Sequence, residues 1–142
     1  MKASLKPGLQ VNFTYKVPKE RTVPHLLPES PEFSLMPGVL ATGYMVALFE
    51  WACIAALNPH LERPYEQTVG THVNLSHTAA TPPGLTLHIH GELKSVQGRK
   101  LQFDLEADDG VDRISKGTHE RFVIFRPEFD EKVKGKLEAG TG

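Results

Sequence analysis

Several features that would mark a special class of protein are scarce or missing in this sequence. There is a single cysteine, Cys53, so no disulfide can form within the chain. No stretch approaches the roughly 20 consecutive apolar residues that span a bilayer, and the first residues alternate polar and apolar where a signal peptide would carry an apolar run. We therefore expect a protein of the reducing cytoplasm that has no membrane partner.

Strong charge of one sign and metal-binding motifs are also missing. The formal net charge is −1, with acidic and basic residues interspersed, so the basic surface of a nucleic-acid-binding protein is not expected. The seven histidines form no HExxH motif and no Cys/His pairs at zinc spacing. Only His88 and His90 share a strand face at short spacing, and we interpret them as a solvated pair. No metal and no cofactor are expected.

The first half of the chain combines one strand, a proline-rich segment and one long helix. At 142 residues a single domain is expected, over about 1–130. Residues 9–17 alternate like a strand, whereas 18–37 carry prolines and isolated apolar residues that favour an ordered loop with an apolar underside. A proline-free run predicts a helix over 42–57, ended by Asn58-Pro59. Thr42 is a candidate N-cap, since its hydroxyl can accept from a first-turn amide.

The second half is dominated by period-two alternation between turn sequences, which is typical of antiparallel strands. One apolar helix followed by a run of strands predicts an α+β fold in which a curved antiparallel sheet wraps around one central helix. The charged and then Gly-rich end, 131–142, is expected to fray. The predicted strands cover residues 68–78, 85–96, 100–108 and 113–125, within a strand region of 68–125.

Glu50 is the most unusual residue of the predicted helix. Between Phe33 and Leu61 it is the only formally charged side chain. A helix that is apolar on every side is expected to be buried on every side, which places this carboxylate at low dielectric. A carboxylate in such a place is a candidate functional group. The alternative is a structural Glu hydrogen-bonded to a backbone turn or to a dimer partner.

Gly43 and His77 are candidates to act with Glu50. Gly43 lies seven residues before Glu50, on the same helical stripe, and amides near a helix N-terminus can donate to a carbonyl oxygen that gains negative charge. Alternatively Gly43 is a packing contact and Thr42 only a cap. Strand alternation places His77 on the expected core-facing side with Val69, Thr71, Val73 and Leu75. His77 is therefore a structural residue or, beside a carboxylate, half of an acid/base pair.

Cys53 and Arg121 are two further candidate residues, and their neighbours in the sequence indicate their roles. Cys53 has no basic neighbour nearby in the sequence to lower the pKa of its thiol, which favours a small core residue over a nucleophile. Arg121 stands beside an apolar strand sequence, Phe122 to Phe125. It is either a solvated charge at a sheet edge or a contact for a phosphate or carboxylate.

Three segments together resemble the fluoroacetyl-CoA thioesterase branch of the hotdog thioesterases. They are ATGYMV with EWAC in the helix, HTAATPPG at 77–84 and GTHER at 117–121, and the resemblance runs from about Val23 to Phe125. It implies a hotdog homodimer with sheets joined edge to edge and acyl-CoA bound at the subunit interface. It also implies that Thr42, Glu50 and His77 are catalytic.

The same resemblance suggests the surroundings of the site. Arg121 is expected close to it and Gly70 in the strand that lines it, while Val23, Leu26 and Phe33 match a hydrophobic lid over the acyl pocket. The chain departs from the family at position 36, because it has Met36 where the fluoroacetyl-CoA enzyme has an aromatic residue. Since methionine is flexible, the sequence does not decide whether the lid closes or whether a fluorinated acyl group is selected.

The function expected from this resemblance is hydrolysis of a short-chain acyl-CoA thioester. Glu50 would act as nucleophile or as the base that activates water, with His77 assisting proton transfer and Thr42 orienting Glu50 or donating to the carbonyl region. The alternatives are a hotdog enoyl-CoA hydratase or dehydratase and a noncatalytic acyl-CoA-binding module. Lys94, Arg99 and Lys100 cluster at a hairpin and are candidates to bind the CoA phosphates. Pairing of dimers into tetramers is left open.

Overall fold

Five antiparallel strands form a single curved sheet in the computed structural model, which describes residues 1–142. The strand order is β1-β3-β4-β5-β2, so β1 and β2 form the two edges. The predicted α+β architecture is confirmed, and β4 and β5 have the predicted bounds. The strands are β1 Gln10–Lys16, β2 Glu66–Leu75, β3 Thr86–Gln97, β4 Lys100–Asp108 and β5 Arg113–Phe125.

The long helix α3, Thr42–Leu57, has the bounds expected from the sequence and lies against the inner face of the sheet. One side of this helix is buried, and its residues pack on the inward-facing residues of the central strands. Burying each large apolar side chain contributes roughly 1.5–3 kcal/mol, so this contact is the main source of the fold's stability. The buried helix residues are Met45, Leu48, Phe49, Ala52, Cys53 and Leu57, and their partners in the core include Leu87, Ile89, Leu101, Phe103 and Ile114.

The opposite side of α3 is not covered, so the expectation of a helix buried on every side was wrong for the single chain. Gly43, Ala47 and Ala55 are exposed, and the Trp51 side chain is 51% exposed. The reason is geometric: a single sheet covers one side of a helix, and no second layer of this chain reaches the other. An apolar helix face is left at the surface.

Strand β2 also differs from its prediction. It ends at Leu75, and none of its residues is fully buried; of the expected core-facing set of Val69, Thr71, Val73 and Leu75, only the partly buried Leu75 packs against the core. Two features explain this. β2 is an edge strand paired only with β5, and a bulge between Gly70 and His72 shifts its register, which reverses the faces of the residues that follow.

The proline-rich segment 18–37 forms short helical turns rather than plain loop. A 3₁₀ turn over Lys19–Arg21 is followed by α1, Val23–Leu26, and α2, Pro31–Ser34. The Ser30 side chain accepts a hydrogen bond from the Phe33 amide and so caps α2. The segment is tied to the chain just before α3 by a β-bridge between Thr22 and Leu40, which places it over the start of α3.

The C-terminal segment is helical, which corrects the expected frayed tail at 131–142. Helix α4 spans Arg126–Thr141 and has no buried residue. Proline in its first turn suits a helix start, and the Arg126 guanidinium pairs with Asp130 one turn later at 2.9 Å. No helix of the chain has both the length and the apolar character needed to cross a membrane.

Candidate active site

The first residue of α3 hydrogen-bonds to a histidine from the segment after β2. Thr42 Oγ1 lies 2.8 Å from His77 Nδ1. The N-cap of α3 is Ala41, and no side chain caps the helix, so the predicted capping role of Thr42 was wrong: its hydroxyl is turned to the imidazole instead. Backbone bonds from Ser76 and Thr78 to β5 hold the histidine segment in place.

The environment of His77 keeps its imidazole neutral near pH 7. Burial lowers the pKa of His77 below its ordinary value, because desolvation penalises the imidazolium ion. Its second ring nitrogen, Nε2, is buried and has no hydrogen-bonding partner within the chain. A neutral imidazole with one nitrogen on a hydroxyl is suited to accept that hydroxyl's proton.

An apolar cavity of about 560 Å³ lies between the helical turns of 18–37 and the start of α3. It opens beside Thr42 and is closed on one side by the bare backbone of Gly43, whose added Cβ would stand 3.7 Å from Leu26. The structure therefore brings the predicted lid residues and the start of the helix together. The cavity is lined by Val23, Leu26, Leu27, Glu32, Phe33, Met36, Ala41, Thr42 and Gly43.

Glu50 takes part in a second polar cluster, built around a buried arginine. Its carboxylate is 39% exposed, so the expected burial of Glu50 is wrong for the single chain, for the reason given above for α3. Arg121 is only 2% exposed and donates from Nη1 to Glu50 Oε2 at 2.9 Å. Its Nε and Nη2 donate to the Thr68 hydroxyl and carbonyl at 2.8 and 2.9 Å. Arg121 is therefore not a solvated charge at a sheet edge, because it is buried and contacts a carboxylate, that of Glu50.

His119 completes this cluster and was missed in the sequence. It is 1% exposed, donates from Nδ1 to the His72 carbonyl at 2.8 Å and accepts from Arg121 Nη1 through Nε2 at 3.1 Å. Burial is the main cause that lowers the pKa of His119, which leaves the ring neutral and able to accept from the guanidinium. The signal available was alternation: His119 and Arg121 are two residues apart on one strand and share its inner face.

Gly70 lies where a side chain would collide with this cluster. A Cβ at this position would stand 2.7 Å from Glu50 Oε2, 3.3 Å from His119 Cε1 and 3.4 Å from Arg121 Nη1. Glycine is therefore required for the carboxylate to rest against β2. The expected location of Gly70, in the strand that lines the site, agrees with this contact.

The two clusters do not meet within one chain. Glu50 follows Thr42 by eight positions in the helix, so their backbones lie about 12 Å apart along the helix axis. No hydrogen bond joins Glu50 to Thr42 or to His77; its one side-chain bond is to Arg121. Of the predicted phosphate ligands, Lys94 pairs with Glu92 at 3.1 Å and Lys100 with Glu120 at 3.3 Å, on the outer part of the hairpin.

A five-stranded antiparallel sheet curled around one helix, with polar residues at the helix start and on the facing strand, defines the class: this is a hotdog-fold protein. A hot-dog-like protein from Thermanaerovibrio acidaminovorans shares the fold alone, at 18% identity and a TM-score of 0.76, over 92% of this chain and 91% of that one.

Sequence comparison narrows the class. The family model described as fluoroacetyl-CoA-specific thioesterase matches residues 18–127. A fluoroacetyl-CoA thioesterase from Streptantibioticus cattleyicolor is 51% identical over 140 residues, which are 99% of this chain and 100% of that one. This chain belongs to the fluoroacetyl-CoA-specific thioesterase family.

Solved structures agree with this assignment. A structure of the fluoroacetyl-CoA thioesterase FlK matches at 50% identity with a TM-score of 0.90, over 94% of this chain and 98% of that one. A mutant of FlK in complex with fluoroacetate matches at 50% identity with a TM-score of 0.89, over 93% and 98% of the two chains.

Proposed function

We propose that this protein hydrolyses a short-chain acyl-CoA, with fluoroacetyl-CoA as the first candidate substrate, to the free acid and CoA. The observation that carries the proposal is the 2.8 Å contact between the Thr42 hydroxyl and the His77 imidazole, because Thr42 itself lines the apolar cavity. A hydroxyl and an imidazole held together beside an acyl-sized cavity can orient the reacting groups of a thioester and assist proton transfer. The relatives that carry this activity in their names match nearly the whole chain.

His77 and the start of α3 have complementary roles in this proposal. Because burial keeps His77 neutral, its Nδ1 can accept a hydrogen bond from the Thr42 hydroxyl, and the hydrogen on the buried Nε2 then has no partner within the chain. The Gly43 amide lies in the first helical turn, where amides have no intrahelical partner and carry the positive end of the helix dipole. It is suited to stabilise the oxyanion formed when the thioester carbonyl is attacked.

Glu50 supplies the carboxylate, either as nucleophile or as the base that activates water. Arg121 fixes Oε2, while Oε1 makes no hydrogen bond within the chain and is free to act. Rapid quenching with acyl-labelled substrate separates the two roles. An acyl-labelled peptide containing Glu50 would identify Glu50 as the nucleophile. Turnover of the wild type in ¹⁸O water that leaves this peptide without ¹⁸O would identify Glu50 as the base.

We further propose that the protein works as a homodimer in which Glu50 of one protomer faces the Thr42–His77 pair of the other. Support comes from two surfaces that a single chain leaves uncovered, the ten-residue edge strand β2 and the exposed apolar side of α3, and from the buried Nε2 of His77, which has no partner within the chain. An unpaired sheet edge readily pairs with a second copy. The separation of about 12 Å between Thr42 and Glu50 along α3 is also consistent with sites shared across an interface.

Mixing two inactive variants tests this arrangement. Thr42→Val and Glu50→Gln are each expected to be inactive, but a mixed dimer holds one intact site if each site combines the two protomers. Refolding an equal mixture should then restore about a quarter of wild-type activity, because half of the dimers are mixed and each has one of two sites. A mixture as inactive as its components, in a sample shown to contain mixed dimers, would contradict the shared site.

The acyl range is proposed to depend on Met36. Its side chain lines the cavity, is 51% exposed and is flexible, so it can adapt to acyl groups of different size. Release of free CoA from acetyl-, fluoroacetyl-, propionyl- and longer esters tests function and range together. Fast release establishes the thioesterase, whereas loss of enoyl-CoA absorbance without free thiol would favour the hydratase. Binding without either change would favour the noncatalytic acyl-CoA-binding module.

A cytoplasmic location is part of the proposal. Its support is the one cysteine, Cys53, which is buried and free, as is usual for a protein of a reducing compartment.

A further inference from the structure

The outer face of the sheet, opposite α3, carries a cluster of side chains that the thioesterase proposal does not use. His88 and His90 point outward from β3, and the residues paired with them on β4 are Asp108 and Glu106. Their neighbours Leu87 and Ile89 point into the core, so the cluster lies on the far side of the sheet from Glu50 and His77. The sequence alone predicts a solvated pair of strand histidines here.

Three of these residues are arranged as ligands. One donor atom each from His88, His90 and Asp108 lie within 4.8 Å of one another. His88 Nδ1 and His90 Nε2 are both 3.9 Å from the same oxygen, Asp108 Oδ2. These distances exceed those of hydrogen bonds, so Asp108 does not occupy either nitrogen. Zinc bonds of about 2.0–2.2 Å at tetrahedral angles hold donors roughly 3.3–3.6 Å apart.

The remaining nitrogens of both rings face oxygen atoms, an amide oxygen of Asn12 and a carboxylate oxygen of Glu106. His88 Nε2 lies 2.6 Å from Asn12 Oδ1, so this nitrogen carries the hydrogen and leaves Nδ1 unprotonated toward Asp108. His90 Nδ1 lies 3.6 Å from Glu106 Oε1, beyond hydrogen-bond distance, so this carboxylate favours a hydrogen on Nδ1 through its charge alone and thereby an unprotonated Nε2 toward Asp108. Metal-ligating histidines characteristically have such a second partner, which sets the tautomer and the ring orientation.

From this geometry we propose that His88, His90 and Asp108 form a site for a divalent transition metal of the zinc class. Two imidazoles and one carboxylate suit Zn²⁺, Co²⁺ or Ni²⁺ and are a poor site for Mg²⁺, which prefers oxygen ligands. The three side chains are 37–41% exposed, so small rotations about their side-chain bonds can draw the donor atoms onto the ion. A bound ion would link β3 to β4.

Nearby charged side chains have opposite effects on the binding of a cation at this site. Glu106 adds negative charge beside His90, while Arg113 lies 3.7 Å from the other oxygen of Glu106 and reduces that charge. Arg113 is the strand partner of Asp108 on β5, but its guanidinium pairs with Glu106 and makes no ion pair with Asp108, so the Asp108 carboxylate remains available to a cation.

Zinc titration of the chain without a polyhistidine tag, after removal of metals with a chelator, tests the proposal. We expect one Zn²⁺ per chain by calorimetry, a visible Co²⁺ spectrum of the low-coordinate type, and a rise in Tm with added Zn²⁺. His88→Gln and His90→Gln should each weaken binding at least about tenfold, and Asn12→Ala about tenfold through loss of the second partner. Mg²⁺ should not bind.

His25→Gln is the matched control, since His25 is exposed on α1 and far along the chain from the cluster. Tm in chelator establishes that each variant folds, and Asp108→Asn replaces any histidine variant that does not. Failure of the wild type to bind Zn²⁺ saturably would overturn the proposal. So would equal affinity in the wild type and in the folded His90→Gln and Asp108→Asn variants.

Discussion

Arg121 holds the carboxylate of Glu50 at 2.9 Å while its own position is fixed by two hydrogen bonds to Thr68. The Arg121 side chain is 2% exposed and the Glu50 side chain 39%, so a buried guanidinium orients a carboxylate that faces solvent. Since the guanidinium cannot move without losing the Thr68 bonds, Glu50 is held in one place before any substrate arrives. Such preorganisation is what a catalytic carboxylate requires.

Arg121→Lys is expected to separate this orientation from simple charge. A lysine ammonium keeps the positive charge but cannot reach Thr68, Glu50 and His119 together, because it lacks the planar fork of donors. We expect kcat for thioester hydrolysis to fall at least about tenfold and stability to fall by about 1–3 kcal/mol, as bonds to buried groups are lost. Arg113→Lys, an exposed arginine on the same strand, is the control for both measurements. An Arg121→Lys enzyme with wild-type kcat would show that Arg121 does not position Glu50.

Gly70→Ala is expected to displace the carboxylate by steric contact alone. Its Cβ would stand 2.7 Å from Glu50 Oε2, closer than real contacts allow. A shift of the carboxylate by about 1 Å can cost on the order of a hundredfold in rate, so we expect a large loss of kcat with the fold retained. Gly135→Ala, which meets nothing within 4 Å, should leave the rate unchanged. Equal rates for the two variants would place Glu50 outside the reaction.

Stability should fall as the pH drops below about 6.5, the ordinary pKa of histidine. Burial lowers the pKa of His77 and His119 in the folded chain, so the unfolded chain binds more protons in the range between the folded values and about 6.5. Folding therefore loses stability through that range as pH falls, and the loss is complete below the folded pKa values. Replacing His119 by Gln removes one of the two groups and should flatten the decline in Tm measured from pH 8 to pH 5. A decline of unchanged size would contradict the assignment to His119.

Cys53 is expected to be inert to thiol reagents in the folded protein. Burial is the main cause that raises the pKa of its thiol to about 12, so almost no thiolate is present at neutral pH. A thiol-reactive chromophore should label no cysteine in the native chain and one in guanidinium chloride. Rapid labelling of the native chain would contradict the burial of α3. The same inertness makes the reagent suitable for detecting CoA release.

Features that depend on neighbouring residues could be predicted from the sequence. The bounds of α3 follow from a proline-free run that ends at Asn58-Pro59, and those of β4 and β5 follow from alternation between turn residues. The apolar residues spaced among the prolines of 18–37 line one cavity, as an apolar underside of that segment predicts, whereas their role as a lid stays a prediction from the family resemblance. The family resemblance, rather than periodicity, supplied Thr42 and His77 as a pair.

Features that depend on long-range contacts could not be predicted. The hydrogen bond between Arg121 and Glu50 joins residues 71 apart in the chain. The exposure of Glu50 depends on which side of α3 the sheet covers, and the faces of β2 depend on a bulge at Gly70 that alternation does not show. The helix α4 lies where a frayed tail was expected, because a proline in its first turn and the Arg126–Asp130 ion pair favour a helix despite its glycines. The homodimer and the catalytic roles of Thr42, Glu50 and His77 stay predictions.

The most direct test of the central claim is the rate of CoA release from fluoroacetyl-CoA and acetyl-CoA by the wild type, Glu50→Gln and Glu32→Gln. Glu32 lines the apolar cavity, whereas Glu50 lies in the Arg121 cluster, which makes Glu32 the control carboxylate. We predict rapid release by the wild type, loss of at least about a hundredfold in kcat for Glu50→Gln, and near wild-type kcat for Glu32→Gln. Release that persists in Glu50→Gln, or no release by the wild type from any ester, would contradict the account.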